Sequence, residues 1–271
     1  LLLNNKEKEM EMARAKKGSA LVTPKQAVAS FTASSLLKIL NAGHLGGAIE
    51  ELVLTVEDGV GTVSAVDKTS CVFAFAQGDV GEIKNAVIGL KEVGFFIKAI
   101  GAAGSEKIEF LVEDDRWFKL QMVNAGEIKI LLTAPDMIPT AISNYNEPID
   151  KMKASVTHAM GLNKEAVDKF LYFQELVKNT TTTISVKNGL LSIGSGKYET
   201  RTFQVPMGPI AGPDMTVVVF GEFLKAVLSV LDWSEGACGK PTIFLGKDAP
   251  VLIEQDPDYF WSLSPSAEGG E

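Results

Sequence analysis

From Phe31 onward the apolar positions change period in a fixed order. In "FTASSLLKILNAGHLGG", Leu36, Leu37, Leu40 and Leu45 fall near helical spacing behind the start signals Thr32, Ser34 and Ser35. "ELVLTVEDGVGTVSAVDKTSCVFAFAQ" alternates and turns at Asp58-Gly59, which predicts a hairpin running on into a third strand. "NAVIGL" reads as a further strand and "KEVGFFIKAIGAAG" as a short helix stopped by glycines. "EKIEFLVEDDRWFKLQMVNAGEIKILLTAP" gives three strands, with turns at Asp114-Asp115 and Ala125-Gly126.

The same order then returns. "NKEAVDKFLYFQELVKN" is an amphipathic helix with Asn163 as its cap. "TTTISVKNGLLSIGSGKYETRTFQV" supplies three strands, turning at Asn188-Gly189 and Ser195-Gly196. "TVVVFGEFLKAVLSVLDW" is strand then helix, and "FLGKDAPVLIEQDPDYFWSLSPS" closes with three strands. That last stretch partly echoes "FLVEDDRWFKLQM" of the first half. The pattern predicts a tandem α+β duplication. Its expected parts are a mobile or helical tail over residues 1–26, a module over 27–134, a Pro- and Asn-rich connector over 135–153, a second module over 154–266, and a short tail over 267–271.

A repeated sheet module leaves an open edge at either end of the chain, and open edges pair. Copies joined head to tail close into a ring when the rotation permits. The same pattern also fits a duplication that simply stacks sheet on sheet.

Composition narrows the class. The chain has 271 residues, 46% hydrophobic and 22% charged, as in an ordinary globular protein. No apolar run approaches the roughly 20 residues of a membrane helix, and the start lacks the apolar core of a secretion signal. An intracellular, non-membrane protein is expected. Cys71 and Cys238 stand far apart, and two buried free thiols in a reducing compartment are the preferred reading over a disulfide. A net charge of −8 argues against a uniformly basic surface but leaves local basic faces open.

Four stretches carry a resemblance. "DAPVLIE" over 248–254 resembles the Asp-x-Pro-aliphatic-x-aliphatic-Glu strand of the proliferating-cell-nuclear-antigen group of DNA sliding clamps. "WSLSP" over 261–265 is similar to that family's closing aromatic-x-Leu-Ala-Pro. "AVDKTSCVFAF" is similar to its first-domain Met-Asp-Ser-Ser-His-Val, with Asp67 and Ser70 in register. There Val66 stands for the usual methionine and Ser70 for the histidine. "FFIKAIGAAGSEKIEFLVED" resembles the helix, glycine turn and strand that close the first domain, and the likeness runs in order over residues 31–265.

The resemblance implies tandem clamp domains, with sheets outside and helices lining a ring of three subunits. It implies a processivity factor that encircles duplex DNA without reading sequence and is served by a clamp loader. DNA polymerase and other partners would dock through short peptides bearing paired aromatics. Each expected helix has a lysine near its middle, Lys38, Lys98, Lys169 and Lys225, and these are the candidate phosphate contacts. Exposed helices also carry lysines for solubility alone. Acids interleaved in the third helix make its face only mildly positive. Carried over by position, Val66 and Pro250 form the partner-pocket wall. Ser264 and Pro265 are the backbone that pairs with the peptide, and residues 137–145 are the rim, with Ile142 an apolar contact. Pro250 also fits an edge-strand proline that blocks pairing. Trp261 is expected in the core.

Catalytic signatures are missing. His44 and His158 lack metal-ligand spacing, and His44 at a helix end reads as a capping or exposed residue. "GAAGSEK" at Gly101 follows a helix and precedes a strand, the wrong order for a phosphate loop. Glu113, Asp114 and Asp115 read as a solvated turn rather than a cation site. No cofactor, metal or covalent chemistry is expected. Two rivals stand beside the homotrimeric clamp: a clamp-like subunit acting as a monomer or in a heteromeric ring, and a duplicated α+β enzyme with a deep polar pocket.

Overall fold

The computed structural model describes residues 29–81, 85–102, 107–113, 117–122, 126–138, 146–197, 199–234, 239–256 and 258–266. Both expected tails, the Asp114-Asp115 turn, Ile142 and Cys238 lie outside them.

The first half runs β1 (Ala29–Thr32), α1 (Ala33–His44), β2 (Leu52–Glu57), β3 (Val60–Val66), β4 (Val72–Asp79), β5 (Ala86–Leu90), α2 (Val93–Ala102), β6 (Lys107–Glu113), β7 (Trp117–Met122) and β8 (Gly126–Leu131). Helix α3 (Asn146–Ala154) follows. The second half repeats the order: β9 (His158–Gly161), α4 (Lys164–Val177), β10 (Thr181–Lys187), β11 (Leu190–Ser195), β12 (Gln204–Pro209), β13 (Met215–Phe220), α5 (Gly221–Ser229), β14 (Thr242–Leu245), β15 (Val251–Gln255) and β16 (Tyr259–Leu263).

Turn chemistry repeats with the elements. The β2–β3 hairpin turns on Asp58 and Gly59 at φ 50° and 83°, and β10–β11 on Asn188 and Gly189 at φ 52° and 74°. Asp, Asn and Gly accept these left-handed angles, and two such residues in succession match the twist of a hairpin. The Asn163 side chain accepts from the amides of Glu165 and Ala166, capping α4 as expected.

Two expectations are corrected, and two short strands are added. The connector is not all loop, because α3 occupies much of it. Pro148 falls in the first turn, where its missing amide would have had no helical partner. The chain does not turn back tightly at Ser195-Gly196, since β12 begins only at Gln204. Short strands β1 and β9, which complete the sheets, carry too little periodicity to be read from four residues each.

The strands form three antiparallel sheets. One orders β1-β6-β7-β8 and another β12-β11-β10-β13. The third has eight strands, β5-β2-β3-β4-β16-β15-β14-β9, and so crosses from the first half to the second between β4 and β16. Its register pairs Val72 with Leu263 and Ala76 with Tyr259. Ser264 N–H to Cys71 O at 2.8 Å and Gln77 N–H to Asp258 O at 2.9 Å extend the joint at both ends.

Helices α1, α2, α4 and α5 bury their apolar sides in one core with these sheets. Alternation along β4, β15 and β16 sends Val72, Ala74, Val251, Ile253, Trp261 and Leu263 into the main core with α1 and α5. Trp261 is buried as expected, and its indole N–H donates to Ala42 O of α1 at 3.0 Å, tying the halves together. Gly43 lets α1 approach β3, where an added Cβ would stand 2.5 Å from a Val63 methyl. Among the described residues, no helix is long and apolar enough to cross a membrane.

Candidate functional site

All four candidate lysines lie on helices, but three are engaged by carboxylates. Lys38 on α1 reaches Asp232 at 3.0 Å. On α4, Lys169 pairs with Glu165 at 2.7 Å, and Lys164 with Asp168 at 2.8 Å. Lys225 on α5 pairs with Glu175 of α4. The hydrogen bonds from Lys169 and Lys225 hold the Glu165 and Glu175 carboxyls below their ordinary range. Lys98 has no ion-pair partner among the described residues. Helices α1 and α2 contribute one lysine each, α5 balances Glu222 with Lys225, and α4 holds three acids to two lysines. The helical face therefore carries a net charge of one, not a strongly basic field.

The other face of the eight-stranded sheet is apolar where the halves meet. The register aligns Phe75 with Phe260, and Phe260 with Glu254. The neighbouring row runs Phe73, Ser262, Leu252 and Phe244. Phe75, Leu252 and Phe260 are buried there, with Phe73, Phe244, Ile149, Met152 and Val156 packed against them.

The repeat also assigns counterparts to each strand. Strands β5-β2-β3-β4 correspond to β13-β10-β11-β12, and β1-β6-β7-β8 to β9-β14-β15-β16. The internal joint pairs β4 with β16, so β12 and β8 are the matching strands, and both lie at open edges. At the internal joint α5 meets the turn after α1 and rests on β16. The counterparts at the open ends expose apolar groups: Phe95 on α2 and Leu131 on β8 at one end, Tyr172 and Leu176 on α4 at the other.

Solved structures match this arrangement. A DNA polymerase sliding clamp from Bacillus subtilis superposes with a TM-score of 0.68 at 13% identity, covering 93% of this chain and 67% of that one. PCNA from Thermococcus kodakaraensis gives 0.65 at 12%, covering 88% and 99%. A. fulgidus PCNA bound to the C-terminal region of FEN-1 gives 0.64 at 15%, covering 90% and 100%. The fold is that of the DNA sliding clamps. No protein-family model and no curated protein sequence matches the chain.

Of the expected pocket residues, Val66, Pro250 and Ser264 come together at one end of the apolar face, and Ile142 lies outside the described residues. Val66 lies opposite Phe73 in the register. Continuing the β15–β16 pairing sets Pro250 beside Ser264, which is bonded to Cys71 O. Pro250 precedes an interior strand, so the edge-proline reading is withdrawn. Ser264 N–H is taken by Cys71 O and Ser266 N–H by Val218 O, at 2.8 and 2.7 Å, while Pro265 is exposed. Asp67, buried, shapes the neighbouring loop by accepting from the amides of Thr69, Cys71 and Val72. Cys71 is a free thiol, half-buried rather than buried.

A cleft of about 780 Å³ opens on the helical side of the joint, lined among others by Gly46, Gly47, Glu50, Lys68, Glu222 and Lys225. Among the described residues, no group of three or more His, Cys, Asp or Glu is placed to hold a metal ion. His44 Nδ1 lies 2.6 Å from Ile49 O beyond the helix end, and buried His158 sits between Thr157 Oγ1 and Pro213 O.

Sequence reasoning missed the aromatic floor and the helix over it. The signal was present in "VFAFAQ", where both alternating sets are apolar, as in a strand covered on both faces.

Proposed function

We propose that the chain is a subunit of a DNA sliding clamp, a non-enzymatic ring that encircles duplex DNA and tethers DNA polymerase and other DNA-processing proteins. The observation that carries this is the pair of open edges β8 and β12, the counterparts of the strands that already form the internal joint. Joining β8 of one copy to β12 of the next repeats that joint, and it covers Phe95, Leu131, Tyr172 and Leu176. Nearly complete coverage of PCNA chains, against 67% of the B. subtilis clamp, favours a two-module subunit and hence three copies. The module boundaries are 27–134 and 154–266.

With a helical face of net charge one, retention on DNA rests on topological closure more than on affinity. Lys98 is the freest of the four lysines to meet phosphate. Partners dock on the outer face beside Val66, Pro250 and Ser264, as the FEN-1 segment bound to A. fulgidus PCNA supports by analogy. Loading onto DNA by a clamp loader and an intracellular location follow from the same reading.

The test combines mass in solution with retention on DNA. A mass of three chains, with retention on closed circular DNA and loss on linearised DNA, is expected. A stable monomer retained by neither form refutes the ring. Strand β12 favours a second reading, a subunit that closes only in a heteromeric ring, because prolines occupy its open edge.

A further inference from the structure

Helix α3 has no counterpart in the repeated plan among the described residues, yet it sits on an apolar surface that both halves build at their joint, on the sheet face away from the main core. Ile149 and Met152, one turn apart, pack with the following Val156 onto Phe75, Leu252 and Phe260. Lys153 reaches Glu254 at 2.7 Å and lies 5.9 Å above the Phe260 ring. Glu254 is opposite Phe260 in the register, so a cation arriving beside the aromatic floor meets both its carboxylate and its π face.

We propose that α3 is a built-in occupant of the partner-docking face, which a partner peptide with two apolar anchors and a following cation must displace. The inference rests on the reading of this face as the docking surface. Three features make α3 removable. It spans nine residues, too short to persist as a helix without its contacts. Among its described side chains, the apolar grip comes from half-buried Ile149 and Met152. Its ion pair to the floor, Lys153 with Glu254, is partly open to solvent, with side chains 36% and 20% exposed. The floor beneath is less dispensable, since uncovered phenylalanines invite another apolar partner. The contacts of α3 also state what the competitor offers: apolar, apolar one turn on, then lysine or arginine for Glu254. The floor is continuous with Phe73 and Val66, so a displacing peptide reaches the Pro250 and Ser264 end as well.

The probe is a labelled synthetic peptide carrying a glutamine, an aliphatic residue, two adjacent aromatics and a following lysine, titrated into the full chain. Ile149→Ser/Met152→Ser should tighten its binding about tenfold, the factor expected if α3 is undocked about one-tenth of the time. Lys153→Ala, which removes the ion pair and the cation over Phe260 but leaves the apolar contacts, should tighten it in the same direction and stands in if the double variant misfolds. Peptide added to the wild-type chain should speed amide exchange in α3. Equal or weaker binding in the variants, or undiminished α3 protection in the complex, overturns the proposal while leaving the docking face intact. Binding to none of the forms overturns the docking reading along with it.

Discussion

At the residue scale, Asp232 shows why a lysine on a helix facing the proposed hole need not serve DNA. Its carboxylate accepts from the hydroxyl and amide of Ser234 and from Lys38, and these bonds hold its pKa at about 2, against an ordinary 3.8. Its backbone is clamped by the buried Gln255 side chain, which donates to Asp232 O and accepts from Asp232 N–H. Lys38 belongs to the first half and Asp232 to the second, so the pair fastens the joint. A depressed pKa stabilises the fold above the unfolded value and loses that contribution as pH falls through the folded one. Asp232→Asn should therefore lower the melting temperature at pH 7, by less than about 1 kcal/mol of stability for so exposed a pair. The gap to wild type should close between pH 4 and pH 2. A gap that persists unchanged to pH 2 would contradict the carboxylate's role.

At the element scale, β12 differs from its counterpart β4 in one respect that bears on assembly. Ser195 N–H bonds Phe203 O and Ile210 N–H bonds Gly189 O, both at 3.0 Å, and a bulge falls between them opposite Leu191 and Ser192. Antiparallel alternation counted inward from either bond puts Pro206 and Pro209 at positions whose backbone faces away from β11. The open edge of β12 thus offers carbonyls but lacks two amides, and a strand pairing there leaves two of its own carbonyls without donors. The joint between copies should be weaker than the internal one. Pro206→Thr/Pro209→Thr should tighten self-association about ten- to thirtyfold, as two restored hydrogen bonds at about 1 kcal/mol each allow. Sedimentation equilibrium reads this directly. Unchanged association removes β12 from the joint.

At the scale of the whole molecule, the balance of charge on the helical face sets how the ring would hold DNA. Glu165 and Glu175 neutralise Lys169 and Lys225, leaving few cations for phosphate. Glu165→Gln/Glu175→Gln should release both lysines, strengthen retention on circular DNA and steepen its salt dependence by about 0.9 per phosphate newly neutralised. Retention measured across a potassium chloride series checks this. An unaltered slope means that the α4–α5 face does not meet the duplex.

Local periodicity was enough to read the repeated order of helices and strands, the Asp58-Gly59 and Asn188-Gly189 turns and the Asn163 cap. Each depends on residues within a few positions of one another. The apolar alternation likewise marked Trp261 as core, because a side chain of that size in a closing strand has few other places to go. What lay beyond the sequence was every relation between distant strands. The β4–β16 joint, the counterpart edges β8 and β12, and the row from Phe73 to Phe244 exist only once register is set over separations of up to about two hundred residues. The engagement of Lys38 by Asp232 is of the same kind, since a charge is defined by its sequence but its freedom by its neighbours. Helix α3 joins both classes: a proline-bearing connector hid its helical turn, and only the tertiary structure supplied the aromatic floor that makes so short a helix stay.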